Sequence, residues 1–207
     1  MMSAPLAAQG LTTPRTTMPV SYTYGTFIPA LDHLFDSELH PIRSCLLAIR
    51  LFGLTPPELL RFDATRGLAQ ICYRGDISLP RRSSMSGWLL LRPFNWDHIR
   101  YLGQVAFTQG RASSTLAPGT LTRAAWRKEL KQRGYLLGEA LGVKGWLHDL
   151  RSAFACSYYA LVLKTVPPVL DRVSAAPANE ARVLTDLCEH LSCPAERLPA
   201  FIGARVW

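Results

Sequence analysis

The chain has little acid, little lysine and no long apolar run. Of its 207 residues, 15 are Asp or Glu against 23 Lys or Arg, a formal charge of +8 at neutral pH. That imbalance favours a polyanionic partner and says nothing about fold. Lysine occurs only at Lys128, Lys131, Lys144 and Lys164, so the other basic residues are arginine, whose planar fork suits two-pronged contact with phosphate. No apolar stretch approaches the roughly 20 residues of a membrane span, and no charged segment leads into an apolar run at the start. Neither membrane insertion nor a secretory signal is expected, and the expected location is cytoplasmic. Cysteines are few, odd in number and scattered (Cys45, Cys72, Cys156, Cys188, Cys193), which argues against a disulfide framework. Cys188-x-His190-x-x-Cys193 lacks the second ligand pair of a zinc finger. It reads as cysteines on a helix, and neither metal nor cofactor is expected. There is no internal repeat.

What is present suits one α-rich domain. Hydrophobic residues make up 48% of the chain, enough for a sizeable core, and charged residues only 18%. Residues 1–25, rich in Ala, Pro, Thr and Ser without periodicity, read as a disordered or loosely attached arm, and 26–207 as the folded domain. Helices are predicted over 28–39 and over 41–52, where Pro41 suits a first turn and Gly53 stops the helix. In "TPPELLRF", Thr55 and Glu58 form a capping-box pattern. "LAQICYRGDISL" reads as two short strands about an Arg74-Gly75-Asp76 turn, with a third strand in "GWLLL". Further helices are predicted from "NWDHIRYLGQ" to Gly110, from Thr120 or Thr122 to Gly134, across "GWLHDLRSAFACSYY", and over 179–191. The fold class is α+β, mostly α, with helices around a small antiparallel sheet.

Three separated stretches then fall into one order. "FGLTPPELL", "HDLRSAFA" and "LTDLCEHLSCPAERLPAFIG" resemble the three boxes of the tyrosine recombinase (phage integrase) catalytic domain. The flavour is that of integrase-like proteins of integrative and conjugative elements, with a proline-containing insertion between the last two boxes. The resemblance implies a DNA partner and a site for transesterification. A tyrosine hydroxyl attacks the phosphate, two arginines and one or two imidazoles hold the growing oxyanion charge, and a lysine on the sheet protonates the leaving oxygen. His148 and Arg151 match the second box, and His190 the third-box histidine, with Glu189 where the family has glycine.

The departures from that pattern fall on the reactive groups. Thr55 stands where the family has its first arginine, and Phe201 where it has the nucleophilic tyrosine; no tyrosine follows Tyr159. No lysine precedes Lys128. Arg74 is the nearest cationic substitute on the expected sheet, and a guanidinium that keeps its proton is a poor general acid. Arg81, Arg82, Arg123, Arg127, Lys128, Lys131 and Arg133 supply a basic track that fits DNA backbone contact collectively, although any one of them also suits a solvated helix face. The residues before the first box are too few for the second domain with which the family encloses DNA. The resulting expectation is a catalytically degenerate DNA-binding protein of a mobile element, acting as a homo-oligomer or beside a partner recombinase. Two other readings stay open. One is a phosphoryl-transfer enzyme with a non-standard nucleophile, and the other a protein-interaction module on the same fold.

Overall fold

A computed structural model describes residues 14–80, 88–91, 95–112, 116–117, 121–171 and 177–204, with backbone alone at 88–91 and 111–112. The helices, in chain order, are α1 (Tyr24–Asp32), α2 (Pro41–Phe52), α3 (Pro56–Leu59), α4 (Ala64–Arg74), α5 (Trp96–Ala112), α6 (Arg123–Ala140), α7 (Trp146–Leu163), α8 (Glu180–Leu191) and α9 (Pro199–Ile202). Two 3-10 turns, Val20–Tyr22 and Ala195–Arg197, complete the helical content. Between α4 and α5, β1 (Ile77–Pro80) and β2 (Trp88–Leu91) pair antiparallel, Ile77 opposite Leu91. The described chain is mostly helical. Among the described residues no helix is long and apolar enough to cross a membrane.

One of two central helices is α2. His40 caps it, its Nδ1 accepting from the Ile42 amide at 3.2 Å, Pro41 opens the first turn, and Gly53 closes the helix at φ 64°. Every residue from Ile42 to Phe52 is buried, so α2 is enclosed on all sides, chiefly by α5, α7 and α6. Gly53 is doubly required: its φ is left-handed, and a Cβ there would collide with the Phe154 ring of α7. The second long axis is α7, which carries the Val20–Tyr22 turn, α8 and α9 along its length.

Several expectations need correction. Of the two strands expected about Arg74, the first is helix α4, whereas the second forms as β1 and pairs with the strand expected in "GWLLL", β2. Asp63 caps α4 by accepting from Arg66 N at 2.8 Å, and Ala64, Gly67 and Ile71 make a buried face at helical spacing. Gly75 at φ 69° is the helix stop and not a hairpin turn. The helix expected over 28–39 begins earlier and ends at Asp32, because Thr23 caps α1 and the chain turns at Ser37, whose carbonyl accepts from His40 N. Gly134 does not stop α6. The helix runs past it because the missing side chain makes room for the Trp146 indole.

The loosely attached arm is corrected for residues 14–25; residues 1–13 lie outside the described ones. Arg15 Nη2 donates to Asp149 Oδ1 at 2.8 Å, Val20 N donates to the same oxygen at 3.3 Å, and Ser21 donates to Oδ2 through N at 3.1 Å and Oγ at 2.6 Å. The Arg15 amide also reaches Pro199 O at 2.8 Å. A buried carboxylate with this many donors is stable only while they remain. Replacing Asp149 by Ala should therefore lower the unfolding free energy by about 3–5 kcal/mol, read from urea melts at constant m-value. Thr17→Ala, on the same segment but exposed, should change it by less than about 0.5 kcal/mol. Equal effects from the two would show that the segment is not held by Asp149.

Candidate functional site

The head of α7 sends three polar side chains in different directions. Asp149 points into the fold, as described. His148 stays at the surface, its Nε2 3.0 Å from Ala200 O and its ring 4.7 Å from that of Phe201. A carbonyl only accepts, so Nε2 carries the proton. Partial burial lowers the His148 pKa below its ordinary value, against the bond to Ala200, which raises it. The imidazole is therefore neutral at pH 7.

Arg151 is half-buried and ties two helix ends together. Its Nε donates to Gly53 O at 3.0 Å, at the close of α2, and its Nη2 donates to Leu191 O, the last residue of α8. Carbonyls at helix C-termini carry partial negative charge, so a guanidinium bridging two of them is well matched. The cation also lies 5.6 Å from the Phe201 ring centroid. Burial pulls the Arg151 pKa down, and the Glu58 charge holds it up.

Beside these two residues opens a concavity of about 610 Å³. Arg127 and Lys131, one turn apart on α6, line it together with Lys144, His148 and Arg151. No Asp or Glu stands among the described residues that line it. Tyr135 and Trp146 add aromatic surface, and Lys131 Nζ sits 5.7 Å from the Tyr135 ring centroid. The second-box pair and part of the basic track, far apart in sequence, thus share one hollow. Lys144 was not singled out from sequence; the signal available was its place just before the α7 N-cap, four residues ahead of His148.

Other expected site residues lie elsewhere. His190 is in the core, with Nδ1 2.6 Å from Asp186 O and its ring against those of Tyr158 and Phe154, and does not line the concavity. Arg74 ends α4 in an ion pair with Asp76 at 2.7 Å, also outside the concavity. Arg123 and Lys128 are exposed on α6 without lining it, and Arg133 reaches back to Leu34 O at 3.1 Å. Arg81 and Arg82 lie outside the described residues. Thr55 forms the capping box, with its amide and hydroxyl bonded to Glu58 Oε2 at 2.7 and 2.9 Å. Phe201 is buried beneath His148 and Arg151.

The two tyrosines of α7 are buried residues. Tyr158 is buried, and burial pushes its pKa up to about 12; Tyr159 is buried and donates to Glu180. Cys188 and Cys193 interact with each other, while His190 faces the core. Among the described residues no group of three His, Cys, Asp or Glu could hold a metal ion.

Arg151 should matter to stability whatever enters the concavity. Arg151→Ala leaves two helix ends without their shared donor and should reduce the unfolding free energy by about 2–4 kcal/mol in urea melts. Arg127→Ala, exposed, should stay within about 0.5 kcal/mol. A negligible loss for Arg151→Ala would refute its role as a clip.

Comparisons with protein-family models, with curated proteins and with solved structures found no match to this chain. The tyrosine-recombinase resemblance therefore rests on the three boxes and their order.

Proposed function

We propose that this chain binds DNA as a catalytically degenerate protein of tyrosine-recombinase type, serving recombination or integration in a mobile element. The proposal includes a single domain of the recombinase catalytic kind. The observation that carries it is the concavity in which Arg127, Lys131, Lys144, His148 and Arg151 converge with no acid among the described lining residues. Such a hollow accepts phosphate oxygens from several directions, and its aromatic walls suit sugar or base surface. Strand transfer also needs an oxygen nucleophile and a proton donor for the leaving oxygen. At the family's positions for these groups stand Phe201, which has no hydroxyl, and a β1–β2 segment without lysine; the α7 tyrosines are buried, and Tyr135, which lines the concavity, lies away from the family's nucleophile position.

Binding should follow counterion release. With about three phosphates engaged, affinity for a short duplex should fall roughly 40-fold between about 50 and 200 mM salt, measured by fluorescence anisotropy. The double variant Arg127→Glu, Lys131→Glu should weaken binding and flatten the log–log salt slope by about two. Salt-independent binding, or none, would instead favour a protein-interaction module.

The pH dependence has a definite sign. His148 is neutral at pH 7 because its pKa is lowered, so acidification adds a positive charge to the concavity. DNA affinity should rise as pH falls from 7 to about 5, and His148→Gln should remove most of that rise. An identical rise in the variant would exclude His148 from the interface.

A nicked suicide substrate should give no covalent protein–DNA adduct on a denaturing gel. An adduct that disappears in His148→Ala and Arg151→Lys would replace the degenerate reading with an active one.

A further inference from the structure

A second cavity, of about 560 Å³, opens near the other end of α7 and includes Arg50 in its wall. Arg50 is 1% exposed. Its Nε donates to Ser21 O at 2.7 Å, and its Nη2 donates to Tyr22 O and, at 3.1 Å, to Ser157 Oγ. All three partners are neutral, and Nη1 has no hydrogen-bond partner among the described residues. Among the described residues Arg50 makes no ion pair, whereas Arg43, equally buried on the same helix, pairs with Asp32 at 2.7 Å. Buried charges are ordinarily paired and fully hydrogen-bonded; the Asp149 carboxylate acts on Arg50 only at a distance, with Ser21 between them, so the guanidinium has no contacting counter-ion among the described residues.

The surroundings share that character. Tyr24, whose ring centroid lies 4.6 Å from the Arg50 guanidinium carbon, lines the same cavity, and its buried hydroxyl likewise has no partner among the described residues. Burial raises the Tyr24 pKa, which keeps the hydroxyl a donor. The first turns of α1 and α5 contribute to the wall, both with N-terminal partial positive charge. Lys164 lines the cavity too, in the left-handed region at φ 55°, where a non-glycine residue is uncommon. Burial, and then the Arg50 charge, pushes His98 down to about 4, so it adds no charge at neutral pH. Asp97 is the only acid among the described lining residues; it disfavours a polyanion and leaves room for a small ligand.

We infer that this cavity binds a small oxyanion, a carboxylate or a phosphate, through Arg50 Nη1 and the Tyr24 hydroxyl, with Lys164 adding charge. The site is separate from the proposed DNA concavity and does not depend on that reading.

The test is thermal unfolding of the full chain titrated with inorganic phosphate or with succinate, against sodium chloride at equal ionic strength. Saturable stabilisation by at least one of them is expected, and the tighter of the two identifies the ligand's chemistry. Tyr24→Phe, which keeps the ring, should weaken it about fivefold. Lys164→Gly, which keeps the left-handed backbone, should weaken it by a similar factor. Arg50→Met should abolish it; should that variant not fold, the other two decide. The Arg127→Glu, Lys131→Glu double variant should leave the titration unchanged. Absence of saturable stabilisation, or stabilisation indifferent to Tyr24→Phe and Lys164→Gly, would overturn the inference. Loss of stabilisation in the α6 double variant would also overturn it, by assigning the anion to the other concavity.

Discussion

At the head of α7, both oxygens of the buried Asp149 carboxylate are occupied, Oδ1 by Arg15 and the Val20 amide, Oδ2 by the amide and hydroxyl of Ser21. The chain passes directly from these donors to the carbonyls of Ser21 and Tyr22, which accept from Arg50 on α2, and Arg50 in turn donates to Ser157 two turns along α7. One polar network thus joins the N-terminal segment to both long helices. Apolar packing alone would let α7 slide or rotate against α2 at modest loss, because dispersion is not directional. A buried carboxylate and a buried guanidinium do not allow that: every displaced donor strands a charge away from water. With Asp149 fixed inward, helical geometry sends His148 and Arg151 to other faces. The pairing of an inward acid with an outward imidazole and an outward guanidinium follows from one constraint.

Parts of this were legible in the sequence because they depend on neighbours along the chain. The bounds of α2 follow from His40-Pro41 and Gly53, and the Thr55–Glu58 capping box is written in four consecutive residues. What could not be read depended on distant partners. Gly134 looks like a helix stop, yet it is the place where the Trp146 indole crosses α6. The 64–74 stretch has β-prone residues such as Ile71 and Tyr73, but Asp63, Gly75 and the packing of α4 on α5 override them. Gln109 strengthens that choice, accepting from Ala64 N at 2.6 Å and donating to Phe62 O at 3.1 Å. The arm had no apolar periodicity to announce its docking, since polar bonds to Asp149 hold it.

The candidate site was legible to the same extent. His148 and Arg151 were found through a short local motif, and Arg127 and Lys131 through basic residues one turn apart. That the two pairs meet in one hollow is a consequence of α6 packing on α7 through Gly134 and Gly138. His190 could not be separated from them by sequence: a histidine near a helix end has no local mark that says which way its ring faces. Arg50 was invisible for a related reason. In "LAIRLFG" it reads as one polar residue in an apolar helix, and only the fold shows that it makes no ion pair among the described residues while its neighbour Arg43 does.

The positions where the resemblance implies reactive groups now carry structural chemistry. Thr55 bonds Glu58, whose charge lies close enough to Arg151 to support it. Phe201 supplies the ring on which both His148 and Arg151 rest. Under the proposed reading, the loss of the nucleophile and of the first arginine is therefore tied to how the remaining cations are held. What stays is electrostatic: Arg127, Lys131, Lys144 and Arg151 line one hollow with no acid among its described lining residues. Such crowding of like charge weakens the folded state by self-repulsion. Phosphates entering the hollow would relieve it, so in this reading DNA binding and fold stability draw on the same charges and rise together.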